Sequence, residues 1–291
     1  MDAFYEWCKR LAEAGVLPRS FAYAFMVRGV LAALLVSPLL GGLSHLVVTK
    51  RLAFFSAALG NAALTGLVIG IAMGESLDHP YGGLFGFCLL VAIGMVYVKR
   101  RSRLPPDTLV GVFLSLTLGL GICLLVAATK RFNIHQIQSV MFGDILTVTD
   151  GDLGLLLAVG LIVGGLLAWF YNDILFAALD PALARSAGVR VAFLEYVFVI
   201  LLTLSIVASL KIIGALLVEA LVVVPAAAAK NLARGAAGYL GWSIALATVG
   251  SVSGLLLSDA FPVPSGGAIV LTLTALFFLT LGGGLVLRRN R

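Results

Sequence analysis

Apolar runs close to 20 residues long recur from about residue 21 to residue 287. Each is long enough to cross the roughly 30 Å hydrocarbon core of a bilayer as a helix. Lipid offers no partner for backbone N–H and C=O groups, so spanning segments of this kind fold as helices that satisfy those groups internally. The chain is 61% hydrophobic and only 12% charged, against about 45–50% and 25% in soluble domains. The fold class is therefore an all-α polytopic membrane protein. Charge and Pro/Gly breaks place its spans near residues 22–47, 52–73, 82–98, 107–128, 153–171, 191–209, 212–229, 238–257 and 265–287. The sixth and seventh are joined tightly at Ser209–Lys211. No internal repeat or hydrophilic domain interrupts them, so residues 21–291 read as a single transmembrane domain.

Residues 1–20, "MDAFYEWCKRLAEAGVLPRS", are mixed in charge and lack the continuous apolar core of a cleavable signal. Phe4, Trp7, Leu11 and Ala14 recur at steps of three or four, the spacing of a short helix lying in the membrane interface. Cys8, Cys88 and Cys123 have no metal-ligand spacing and imply no disulfide framework. His45, His79 and His135 are isolated from one another and read as interfacial or surface residues. Gly41, Gly42, Gly164 and Gly165 read as sites of close helix packing, and Arg28 as a snorkelling side chain.

Orientation follows from the basic residues. Lys50 and Arg51, then Lys99, Arg100, Arg101 and Arg103, then Arg185 and Arg190, then Lys230 and Arg234, then Arg288, Arg289 and Arg291 fall on alternate ends of successive spans. Those ends are expected in the cytoplasm, with the N-terminus outside and the C-terminus inside the cell membrane. The net charge of +6 is then a topology signal and not a nucleic-acid patch. Most acids, including Glu75, Asp144, Asp150 and Asp259, fall on the outer side.

Two connections are long. The outer one, "TKRFNIHQIQSVMFGDILTVTDGD", is half apolar and too short to span, which suits a re-entrant or interfacial segment; Asp144 is expected to be structural there. The inner one, "NDILFAALDPALARSAGVRV", reads as a short capped helix. Asp180 is placed to cap it, Pro181 suits its first position, and Gly188 suits its stop. A capped helix on the cytoplasmic side is a docking element for a soluble partner.

At this loop the sequence becomes similar to a known family. "LDPALARSAGVRV" followed by "KIIGALLVEALVVVPAAAAKNLAR" resembles the permease subunits of zinc-, manganese- and iron-importing ABC transporters. "MFGDILTVTDGDL" and "LLLSDAFPVPSGGAIVL" resemble the same family in the same order. The resemblance implies a homodimeric permease embedded in membrane lipid, two cytoplasmic ATPase subunits and an external solute-binding protein. It also implies that Asp180, Pro181, Arg185 and Gly188 belong to a coupling helix that docks on the ATPase. The chain has no GxxxxGK[ST] phosphate loop. It is thus expected to be no enzyme and to hold no cofactor, ATP and magnesium being bound by the partner ATPase.

One block departs from the family. Its second span normally carries an Asp and, four residues later, the His of a Ser-His pair, followed by Leu-Pro-Gly. One helical turn puts that carboxylate and imidazole on one face, where they can meet a transition metal. Here the stretch reads "AFFSAALGNAALTG". Ala57 stands at the Asp, Gly60 at the Ser, Asn61 at the His and Thr65 at the Pro, and Gly66 is retained. Asn61 keeps an amide oxygen and Ser56 adds a hydroxyl, both neutral oxygen donors that do not select zinc over calcium.

Glu219 is the converse case, an acid added where the family usually has a small or hydroxylated residue. A central acid costs roughly 2.5–3.5 kcal/mol to insert and normally faces a bundle interior or water. The nearest charges on its own span, Lys211 and Lys230, lie roughly 12 and 16 Å away along the axis at about 1.5 Å per residue. Pro225 also leaves the Leu221 carbonyl without its helical donor. Glu219 is then a path-lining group that meets a cation, a structural acid, or a group with a gating or proton-linked role. Glu219, Asn61 and Ser56 are the candidate transport-path residues, with Glu219 the candidate metal ligand.

The leading function is the permease of a binding-protein-dependent importer moving a divalent metal inward. The same machine carrying a chelated or larger metal or a small organic solute is the alternative. A secondary cation transporter built on Glu219 is a different class, and it has no use for an ATPase-docking helix. An intramembrane enzyme would need paired acids, a His pair or a Ser/His arrangement at membrane depth, and the sequence offers none.

Overall fold

The computed structural model describes residues 23–75, 81–102, 104–128, 145, 148–261 and 263–289. The interfacial helix expected over residues 1–20, His79, His135, Asp144 and most of the outer connection lie outside the described residues. Among the described residues ten helices follow in order: α1 Ala24–Thr49, α2 Phe55–Ala72, α3 Tyr81–Arg101, α4 Pro106–Ala128, α5 Asp150–Leu179, α6 Pro181–Ser186, α7 Val191–Ile213, α8 Ala215–Leu232, α9 Ala236–Ala260 and α10 Ser265–Arg289. Among the described residues, nine of these are long and apolar enough to cross a membrane. The nine expected spans correspond one to one.

Packing divides the helices by depth. α1 and α2 are buried over most of their length and α7 over more than half, whereas α4, α5 and α10 expose most of theirs to the surroundings. α1 packs against α8, α9 and α5; α10 closes against α8 and α9; α2 sits between α3 and α4; and α3 and α5 both lean on α7. α8 touches α2 and α7 as well, so the two groups meet around α2, α7 and α8.

Two boundaries differ from the sequence reading. α5 runs to Leu179, beyond the expected stop at residue 171. Asn172 and Asp173 look like a polar break, but a helix that projects from the bilayer carries polar residues without penalty. At 30 residues and about 1.5 Å each, α5 is roughly 45 Å long, longer than the core it crosses. It stops at Asp180, where the following proline disfavours helical backbone. The joint between α7 and α8 is Gly214, not Ser209–Lys211. Gly214 is buried with φ 83° and ψ 161°, a backbone region open to glycine. One residue turns the chain.

Without a hydrophobic drive between helices in lipid, contact depends on how closely backbones approach. One very close approach is between α2 and α3, where a Cβ placed on Gly83 would lie 2.5 Å from the Gly66 carbonyl oxygen and 2.5 Å from the Gly70 Cα. Gly41 meets α9 in the same way, 2.7 Å from the Ala247 Cβ. Gly42 makes only ordinary contact, and a Cβ on Gly164 or Gly165 would meet nothing within 4 Å. Among the described residues the packing role expected for Gly164 and Gly165 is therefore absent, because that face of α5 points away from the other described helices. Thr65, at the position of the family's proline, donates to the Thr117 carbonyl at 3.2 Å, and Thr117 donates to the Ala58 carbonyl at 3.3 Å. These bonds tie α2 to α4.

The charged residues sort to opposite ends of the bundle. At the acidic end, Arg28 pairs with Asp150 at 2.8 Å, at the N-terminus of α5, so it is held by a partner and does not simply snorkel. There the Glu75 carboxylate accepts from the Gly83 N–H at 3.0 and 3.2 Å. At the basic end, Lys99 pairs with Glu195 at 3.0 Å and Lys50 lies 5.3 Å over the Phe198 ring. His45, expected at an interface or surface, is 1% exposed. α1, α5 and α9 converge there and enclose its ring between Tyr171 and Tyr239, at centroid distances of 5.5 and 5.7 Å.

Candidate functional site

On α2 almost every residue from Phe55 to Val68 is buried, with Ala57 and Asn61 the two half-exposed ones. They are four apart and share a face. Ser56 and Gly60, also four apart, form the adjoining buried face, Ser56 being 2% exposed. The face that carries the metal-binding pair in the similar family is thus partly open, although both ligands are absent from it.

α8 supplies the other wall. Its half-exposed residues Ala215, Glu219 and Val223 recur every four positions and form a stripe down the helix. A Cβ on Gly60 would lie 3.6 Å from the Ala215 Cβ, 3.8 Å from Glu219 Oε1 and 3.9 Å from Leu210 Cδ1. The Glu219 carboxylate therefore sits against α2 at the level of the altered block, and the absent side chain of Gly60 leaves room for it. Two departures that look unrelated in sequence occupy one place in the fold.

The ion pairs among the described residues are Arg28–Asp150 and Lys99–Glu195, and neither reaches Glu219. Among the described residues no group of three or more His, Cys, Asp or Glu side chains converges. The site offers the Glu219 carboxylate beside Gly60, and the adjacent stretch of α2 carries the amide of half-exposed Asn61 and the hydroxyl of buried Ser56. This is an all-oxygen donor set, suited to hard divalent ions more than to soft thiolate- or imidazole-seeking ones. A lone carboxylate also binds weakly enough to let an ion leave, which conduction requires.

The other functional element lies at the basic end. Asp180 Oδ1 accepts from the Ala182 and Leu183 N–H groups at 3.0 and 2.9 Å, and Pro181 fills the first position of α6. Gly188, at φ 83°, closes the helix. Its N–H donates to the Arg185 carbonyl at 3.1 Å and the Val189 N–H to the Ala184 carbonyl at 3.0 Å, the paired bonds of a Schellman stop. Ala184 anchors α6 at 0% exposure while Leu183, at 55%, points away from the bundle. The expected capped helix is present in every detail of its caps.

Sequence reasoning missed Gly60 and Gly83 as contact points. Retained Gly66 is the one sign in the sequence that α2 approaches a neighbour closely, and nothing along α2 says which helix that is.

The family described as the ABC 3 transport family matches residues 22–283. The chain is 30% identical over 257 residues to the manganese transport system membrane protein MntC of Listeria monocytogenes, covering 88% of this chain and 90% of that protein. It is 29% identical over 257 residues to the high-affinity zinc uptake system membrane protein ZnuB of Haemophilus influenzae, covering 88% and 95%. Among solved structures, PsaBC from Streptococcus pneumoniae in complex with Fab superposes with a TM-score of 0.76 at 28% identity, over 89% of this chain and 91% of that one.

Proposed function

Because the chain belongs to the ABC 3 transport family and is a permease subunit of an ABC transporter, we propose that it carries a divalent metal ion inward along a route passing Glu219. The relatives named for manganese and zinc support this cargo. Family membership favours the ATPase-driven class over a secondary carrier built on Glu219. The working assembly pairs two copies of this chain with two cytoplasmic ATPase subunits, which bind ATP and magnesium, and receives its cargo from an external solute-binding protein. The basic end faces the cytoplasm, with the N-terminus outside and the C-terminus inside.

The observation that carries the reading is the Glu219 carboxylate beside Gly60, on the face of α2 adjoining Ala57 and Asn61. The negative charge that the family places on its second span is supplied here from α8. Glu219 gives up contact with water to the incoming ion, the oxygens of Asn61 and Ser56 complete part of its shell, and water or the second copy supplies the rest. ATP-driven closure of the ATPases acts on α6 and so on α5 and α7, which flank it.

The test restores the family's ligands. In the reconstituted complex, the double variant Ala57→Asp, Asn61→His is expected to raise ATPase stimulation by zinc-loaded binding protein about tenfold relative to manganese, since imidazole suits zinc. Stimulation by a binding protein loaded with an organic solute or a metal chelate, and by none loaded with a bare metal ion, would sink the metal assignment. For α6, Asp180→Ala removes two hydrogen bonds from the helix start and costs about 1 kcal/mol locally. Stimulated ATP hydrolysis is expected to fall severalfold while basal hydrolysis and assembly are retained. Unchanged stimulation would remove α6 from the coupling role.

A further inference from the structure

One carboxylate near the start of α7 has no part in the cargo route or in the caps of α6. Glu195 accepts from Lys99 Nζ, at the end of α3, at 3.0 Å. The Lys99 and Glu195 side chains are 27% and 22% exposed, so the pair is set deeper than the open surface bridges that contribute little. A second ammonium lies against the same place. Lys50, just past the end of α1, stands 5.3 Å over the ring of Phe198, which is fully buried on α7. Burial first, and then the Lys99 charge, draw the Lys50 ammonium down to about 8, while Glu195 pulls it back up. Phe55, where α2 begins, borders the same small space. The start of α7 is thus held to the end of α3 by one charged contact and to the joint before α2 by another.

These two contacts have a direction that their surroundings lack. Met95, Val96, Leu109 and Val199 are apolar, and in lipid such faces have no strong preference for one another over acyl tails. They pack, but they slide. A charge-assisted hydrogen bond is stronger and weakens steeply with distance and angle, so it fixes one helix against the next.

From there α3 carries the contact to the candidate site. Cys88 Sγ on α3 donates to the Leu59 carbonyl of α2 at 3.7 Å, and Gly83 comes up against Gly66 and Gly70. Leu59 immediately precedes Gly60, the residue that faces Glu219. We propose that Lys99 and Glu195 are positioning residues of the transport cycle, whose ion pair makes α3, and through it α2, follow the start of α7. The backbone through Gly214 already ties α7 to α8 and Glu219. The ion pair gives α7 a hold on the opposite wall, so both sides of the site answer to one helix. The inference rests on the reading above, a metal-importing permease driven through α6.

The experiment compares Lys99→Glu, Glu195→Lys and the double exchange in the complete transporter, reconstituted in proteoliposomes with manganese-loaded binding protein. Uptake per ATP hydrolysed is the readout, with the thermal midpoint and the yield of assembled complex measured alongside. Each single reversal is expected to lower uptake per ATP about tenfold, and the double exchange to return it to within about twofold of the wild type, a coupling of the size seen between contacting residues. Reversals that lower the midpoint but leave uptake per ATP unchanged would make the pair a structural tie and overturn the proposal. Reversals that lower the yield of complex, with no rescue by the exchange, would assign both residues to the ATPase interface instead. Where a reversed charge prevents folding, Lys99→Met and Glu195→Gln decide. Each is expected to lower uptake per ATP about threefold and their combination no further, whereas a combined loss of about ninefold would mean that the residues act separately. A wild-type complex that stays idle with manganese would count against the cargo reading, and an active wild type with no rescue counts against the pair alone.

Discussion

Replacing Glu219 with glutamine is expected to cut metal-dependent transport about a hundredfold while the complex still assembles. The substitution keeps the shape of the side chain beside Gly60, where Oε1 stands 3.8 Å from an added Cβ, and removes only the charge. Loss of one partner from a buried charge pair costs about 2–5 kcal/mol. Near 3 kcal/mol, the loss is about a hundredfold. Two readouts separate the roles open to this acid. If Glu219 meets the ion, Glu219→Gln lowers metal-stimulated ATP hydrolysis and uptake together and leaves the thermal midpoint in place. If the acid is structural, the midpoint falls and whatever complex survives transports normally. Retained uptake with a stable fold would end the case for Glu219 as the path-lining group. Glu219→Asp, which keeps the charge on a shorter arm, is expected to recover part of the rate.

The second large effect concerns stability. Gly83→Ala places a Cβ 2.5 Å from the Gly66 carbonyl oxygen and the Gly70 Cα. The obstructing atoms belong to backbone, so no side chain can turn aside to relieve the contact. Overpacking of this kind costs about 1–3 kcal/mol and occasionally more, and α2 must move away from α3. The Gly83 N–H also donates to Glu75, a bond the same shift would lengthen. The expected result is a thermal midpoint in detergent lowered by several degrees. Gly86 lies three residues further along α3, where a Cβ would meet nothing within 4 Å. Gly86→Ala is therefore the matched control and is expected to leave the midpoint unchanged or slightly higher. Equal effects at the two positions would mean that the α2–α3 contact is not the tight one.

What the sequence disclosed, and what it hid, follows from the range of the forces involved. Spans were legible because bilayer thickness acts on each segment separately. The caps of α6 were legible because Asp180, Pro181 and Gly188 act on backbone a few residues away. The end of α5 was misjudged because Asn172 and Asp173 signal an exit from lipid, and a helix can leave lipid without ending. Gly164 and Gly165 resemble a packing motif, yet whether a glycine pair meets another helix depends on which way its face turns. Gly83 gave no sign at all, since its partner Gly66 belongs to a different helix. The same limit applies to the site. Each departure, at Ala57 and Asn61 on α2 and at Glu219 on α8, was visible alone. Only the packing of α8 on α2 sets Glu219 against Gly60, within the same stretch of α2.

The one-residue joint at Gly214 leaves no slack between α7 and α8. Most hairpins have a loop that absorbs a twist of one helix before the next feels it. Here the chain passes from Ile213 to Ala215 through a single buried residue, so a rotation of α7 must reappear in α8. Leu210 and Ala215, on either side of the joint, both press on the space at Gly60, as does Glu219. The start of α7 is the end that lies beside α6, and its finish is the pivot that carries the acid. A single inserted residue at Gly214 would decouple the two ends without touching either.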